Sequence, residues 1–99
     1  VLDFIWIDTV IQALISAAQH PELEQPINIG SGTGTPILDL ARRILELTNS
    51  TSELSLLPPR DTSVLRFVAR VERMRDLLGI HPPKDPLEHL PDVLERWDE

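Results

Sequence analysis

The chain has no cysteine. That excludes disulfide cross-links and thiolate chemistry, and it fits a reducing compartment. Lysine and arginine are few, nine against sixteen acidic residues, which leaves a formal net charge of −7. A surface of that sign does not suit nucleic acid, whose phosphates need a basic face, nor an anionic membrane. No apolar run approaches the roughly 20 residues that a bilayer span requires, and no signal-peptide pattern opens the chain. These absences together set a cytoplasmic location as the expectation.

Glycine is also rare, four in 99 residues, yet three of the four fall in one run. That run is Asn28-Ile29-Gly30-Ser31-Gly32-Thr33-Gly34-Thr35-Pro36. The pattern predicts a short strand with Ile27 and Ile29, a tight turn, and a helix capped by Thr35 with Pro36 at its first position. A glycine turn before a helix can hold a phosphate. A dinucleotide fingerprint, however, needs glycine at its first, third and sixth positions, and counted from Gly30 the sixth is Thr35. The run reads as chain reversal.

What is present supports a folded core: 41% of residues are hydrophobic and 25% charged. The length suits one small domain or a piece of a larger one. Val1 stands at the edge of an apolar run, which reads as an excised fragment.

Phe4 and Trp6 alternate with Ile5 and Ile7, so residues 3–7 have the pattern of a strand buried on both faces. Asp8 or Thr9 then caps a helix with Ile11, Leu14, Ile15 and Ala18 at helical spacing, stopped by Pro21. In the second helix Ile37, Leu40, Ala41, Ile44 and Leu45 form the apolar face, and its end falls near Asn49-Ser50. A third strand is expected at about 53–57, closed by Pro58-Pro59. A third helix carries Val71, Met74, Leu77 and Leu78, with Gly79 as its terminator. Asp85-Pro86-Leu87-Glu88 has the form of a helix start, and Pro91 then forces a kink or two short helices. The expected fold class is α/β: three short, mostly parallel strands with four to five helices in a single unit, 1–99. Three such strands make a poor sheet alone, so the chain looks like half a molecule, inclined to self-associate as a two-fold dimer.

No metal-ligand spacing links His20, His81 and His89, and no G-x-S-x-G elbow is present. One polar cluster stands out. Arg60 follows two prolines, and Arg66 and Arg70 come soon after it. A guanidinium fork at such a place suits a phosphate or carboxylate ligand, or equally an ion pair with Asp61 or Glu53.

Six landmarks in order resemble one family. They are Asp3-Phe4-Ile5-Trp6-Ile7-Asp8, Asn28-Ile29-Gly30-Ser31-Gly32, Ile37-Leu38-Asp39-Leu40-Ala41, Leu57-Pro58-Pro59-Arg60, the run Val71–Gly79, and Pro86-Leu87-Glu88. The chain is similar in these to the C-terminal third of the extended short-chain dehydrogenase/reductases, the NAD-dependent epimerases, dehydratases and decarboxylases of nucleotide sugars. The resemblance implies a non-catalytic fragment that completes a nucleotide-sugar-binding lobe. The NAD(P) cofactor would sit in a missing N-terminal Rossmann domain, and no cofactor would be bound by the fragment itself. The family's Tyr-x-x-x-Lys pair is absent, and the chain has no tyrosine at all. The resemblance puts Arg60, Ser63 and Phe67 on the substrate side, with Arg60 on the diphosphate. Leu2 replaces a family arginine, Ser63 a ribose-binding aspartate, and Arg70 the aspartate of an Ala-Asp pair. The alternative is an acidic α/β protein-interaction module without enzymatic role.

Overall fold

Ala13, Val71, Met74 and Leu78 form the buried centre of the molecule, with Leu23, Ile27, Ile29, Ala69 and Ile80 packed around them. The computed structural model describes residues 1–58 and 66–97. The described elements are β1 (Leu2–Asp3), α1 (Ile7–Ala18), β2 (Gly34–Thr35), α2 (Ile37–Leu47), α3 (Glu72–Leu78) and α4 (Leu90–Glu95).

This corrects the expected fold class. Among the described residues there is one two-stranded sheet, and it is antiparallel, with Leu2 opposite Thr35 and Asp3 opposite Gly34. A single parallel bridge joins Leu2 to Phe67, whose N–H donates to the carbonyl of Val1 at 2.9 Å. The other expected strands form no ladder among the described residues. Trp6 is extended (φ −69°, ψ 134°) but serves as the N-cap of α1, so residues 3–7 divide between a two-residue strand and a helix start. Ile27 and Ile29 reach the core through their side chains, while among the described residues their backbone pairs with no strand. Leu54, Leu56 and Leu57 lie exposed on a segment without regular secondary structure. An apolar alternating run tells that side chains seek cover; it does not supply a neighbouring strand.

The helices follow their periodicity more closely. On α2, Leu40, Ala41, Ile44 and Leu45 are half-buried, and the helix stops where Asn49 adopts a left-handed conformation (φ 51°). Its N-cap is Pro36, not Thr35, which is buried in β2. Gly79 ends α3 at φ 68°, and the N–H of Ile80 donates back to the carbonyl of Met74 at 3.3 Å. That six-residue closure needs a left-handed residue at the cap, which glycine supplies without steric cost. Asp85 opens the last segment: its carboxylate accepts the Leu87 N–H at 3.0 Å and a hydrogen bond from Arg43 at 2.9 Å, which ties the segment to α2. Residues 86–89 make a single turn, and α4 begins beside Pro91, so the proline sits at a helix start where it breaks no bond.

The orientation of α1 departs most from expectation. Thr9 and Ala13 are its buried residues, with Ser16 half-buried, and this face packs on α3. Ser16 Oγ donates to the carbonyl of Leu78 at 2.8 Å, satisfying an end carbonyl of α3. Small side chains let the two helices approach closely. The bulky stripe expected to face a core points the other way.

Candidate functional site

Asp3 organises the region where the sequence placed its glycine turn. One carboxylate oxygen accepts the Ser31 N–H at 2.7 Å and the Ser31 hydroxyl at 2.6 Å. The other accepts the N–H groups of Gly32 at 3.0 Å and Ala69 at 3.1 Å. Burial works to raise the pKa of this carboxyl, but the bonds from the Ser31 side chain and from the backbone of Ser31, Ala69 and Gly32 outweigh it and hold the pKa below its ordinary value. The turn is therefore an anion nest whose anion is internal. Gly32 takes a positive φ of 73° to aim its N–H there, and a Cβ at that position would meet Val71 at 2.8 Å. The N–H groups that could have gripped a phosphate are already occupied.

Alongside the turn runs a polar cleft of about 840 Å³. Arg66 and Arg70 line it, joined by Arg75 from the outer face of α3 and Lys84 from the loop after α3. Ser31 and Thr33 form part of its wall, and Glu72 is its one acidic lining residue among the described residues. The sequence singled out the two arginines nearest Arg60; Arg75 and Lys84 join them only through the fold. Of the residues expected to touch substrate, Arg60 and Ser63 lie outside the described residues. Phe67 bridges Leu2 through its backbone while its side chain is largely exposed, beside Asn28 and Ile29.

An apolar groove of about 240 Å³ lies between the start of α1 and the helices α2 and α4, walled by Phe4, Trp6, Ile44 and Val93 among others. At its edge the rings of Trp6 and His89 stack 5.0 Å apart and 18° from parallel. Nδ1 of His89 is 3.1 Å from the Asp92 carboxylate. Among the described residues, no three His, Asp or Glu side chains converge as a metal-ligand set. Nor is any helix there long and apolar enough to cross a membrane.

The outer face of α1 is an uncovered apolar stripe. Ile7, Ile11, Leu14 and Ile15 are 56%, 46%, 58% and 55% exposed. They fall at i, i+4, i+7 and i+8, opposite the Thr9–Ala13–Ser16 face that packs on α3. The helix is thus built with its small residues inward and its large ones outward. Scattered exposed leucines need no explanation, but a contiguous helical stripe marks an interaction surface.

Comparison with protein-family models, with curated proteins and with solved structures returns no match for this chain.

Proposed function

We propose that the chain is a non-catalytic lobe that docks onto an NAD(P)-binding Rossmann domain through the outer face of α1 and completes a nucleotide-sugar-binding site. The observation that carries this reading is the inverted α1. A helix whose isoleucines and leucine face solvent while an alanine and a threonine face the core is shaped for a second body. Fully burying such a side chain stabilises by about 1.5–3 kcal/mol, so covering four half-exposed ones contributes on the order of 4 kcal/mol. The choice of a Rossmann domain as that body rests on the resemblance, as does the choice of nucleotide sugar. Arg60, Ser63 and Phe67 are the substrate-facing residues in this reading, and the hydride chemistry belongs to the other domain.

The test is reconstitution. The chain is mixed with the NAD-binding domain of an extended short-chain dehydrogenase/reductase cut before its own C-terminal lobe, and retention of a UDP-sugar is measured by equilibrium dialysis. The pair is expected to retain the ligand where neither part does alone; retention no better than the separate parts contradicts the proposal. The exposed α1 face also favours a second reading, an acidic protein-interaction module. Under that reading the face binds a protein partner unrelated to any NAD-binding domain.

A further inference from the structure

We propose that the cleft bounded by Arg66, Arg70, Arg75 and Lys84 is a binding site for a small phosphate-bearing anion. The inference is independent of the lobe reading, since it concerns the isolated chain and uses none of the residues assigned to nucleotide-sugar contact. It begins from a local inversion of charge. The chain has nine lysines and arginines against sixteen acids, yet four of the nine cations line one cleft in which Glu72 is the single acid among the described residues. Such clustering on an acidic protein is not what a solvated, salt-bridged surface produces, where both signs intersperse.

Two arginines elsewhere in the chain are engaged by the fold. Arg43 is paired with Asp85 at 2.9 Å, and Arg73 donates to the carbonyl of Pro26 at 3.1 Å. Among the described residues Arg66, Arg70, Arg75 and Lys84 form no ion pair or side-chain hydrogen bond. Their placement comes from the fold. The N–H of Ala69 is held by Asp3, which fixes the chain between Arg66 and Arg70 against the glycine turn. Arg75 is carried by α3, whose Met74 and Leu78 are buried in the core. Lys84 follows Pro82-Pro83, whose fixed φ stiffens its approach.

The chemistry of the lining narrows the ligand. Guanidinium groups meet phosphate oxygens two at a time, with directional bonds that a lysine alone does not give. The Ser31 and Gly32 N–H groups are committed to Asp3, so recognition falls to side chains rather than to a backbone nest. A space of about 840 Å³ admits a ligand of nucleotide size or smaller. A long polyanion is disfavoured: beyond the cleft it would lie against a chain of net charge −7. A short, multiply charged phosphate compound fits both limits.

The experiment titrates the full chain with inorganic pyrophosphate, inorganic phosphate and citrate, followed by NMR shifts of the backbone amides. Pyrophosphate is expected to shift residues 66–70, α3 and 81–84, and to bind more tightly than phosphate or citrate. The double variant Arg70→Gln/Arg75→Gln should weaken pyrophosphate binding by at least about tenfold, the usual loss for a charge-assisted contact. Arg42→Gln/Arg96→Gln, outside the cleft, should leave it unchanged. Both variants change only exposed side chains, and their folding is checked by circular dichroism. A variant that misfolds is replaced by Lys84→Gln, for which the same weakening is expected. Absence of pyrophosphate binding at millimolar concentration, equal losses in both double variants, or citrate binding as tightly as pyrophosphate would each overturn the proposal.

Discussion

Ser31 donates both its N–H and its hydroxyl to one carboxylate oxygen of Asp3, at 2.7 and 2.6 Å, across 28 residues of sequence. The other oxygen of Asp3 adds Gly32 and Ala69, so one side chain joins β1, the glycine turn and the segment before α3. Hydrogen bonds to a charged acceptor contribute about 1.5–3 kcal/mol each when well shielded, and water offsets part of that around a half-buried group. Asp3→Ala is expected to cost about 2 kcal/mol, read as a lower urea midpoint.

The same carboxylate predicts a pH dependence. Its pKa is lowered in the folded state, so its contribution is present above the unfolded value of about 3.9 and is lost as pH falls through the lower folded value. Urea midpoints of the parent and of Asp3→Asn should therefore differ at pH 7 and converge as pH falls through the lowered folded value. Asp85, lowered by its bonds from Arg43 and Leu87, contributes its own acid sensitivity to both proteins equally, and the comparison cancels it. A difference that persists unchanged into acid would show that Asp3 acts by shape and not by charge.

Gly79 supplies a second stability prediction. Its φ of 68° is left-handed, and a Cβ there would meet nothing within 4 Å. Gly79→Ala should thus carry only the backbone penalty of a left-handed non-glycine residue, about 1–2 kcal/mol. Chemical denaturation with an unchanged dependence on denaturant concentration would fit; a loss much larger than that range would point to a clash instead.

Arg60 lies outside the described residues, and its prediction rests on the resemblance. If the chain completes an NAD(P)-dependent enzyme as proposed above, Arg60→Ala in that assembly should raise the KM for a nucleotide sugar roughly 10–150-fold, the equivalent of one charge-assisted bidentate contact, without loss of folding. Steady-state kinetics with an unchanged KM would remove Arg60 from the site.

Much of the helical frame was legible in the sequence. The spacing of Ile37, Leu40, Ala41, Ile44 and Leu45 located α2, and Val71, Met74, Leu77, Leu78 and Gly79 located α3 with its terminator, because those signals are local, although Ile37 and Leu77 lie exposed rather than on the buried faces. The helix start read at Asp85 did not form, and Pro91 instead opens α4. The strands were not legible. Ile27 and Ile29 satisfy their apolar demand by packing on the core from an unpaired backbone, and local pattern does not distinguish that from a ladder. Nor did periodicity show which way α1 faces. It carries two stripes, one of Thr9, Ala13 and Ser16 and one of Ile7, Ile11, Leu14 and Ile15, and helical spacing alone favours the larger for the core. The competing fact is tertiary: α1 meets α3 on its small stripe, where Ala13 is buried and Ser16 donates to the carbonyl of Leu78. The role of Asp3 was hidden likewise, since its partners stand 28, 29 and 66 residues away.

In isolation the exposed face of α1 should be covered by a second copy of the chain. Its two-residue strands offer little edge for pairing, so the helix is the better contact. Sedimentation should show a dimer at micromolar concentration and a monomer for Ile11→Asp/Ile15→Asp. A monomeric parent, or a dimer that survives both substitutions, would place any association elsewhere.

The central claim is that α1 presents its large apolar face to an NAD-binding domain, and amide hydrogen exchange tests it most directly. Exchange is followed in the chain alone and with that domain added in excess, for the parent and for Ile11→Asp/Ile15→Asp. Slowed exchange in residues 7–18 on addition of the domain, absent from the double variant, is the expected result. Exchange in α1 that does not change on addition, or slowing that the two aspartates leave intact, would contradict it.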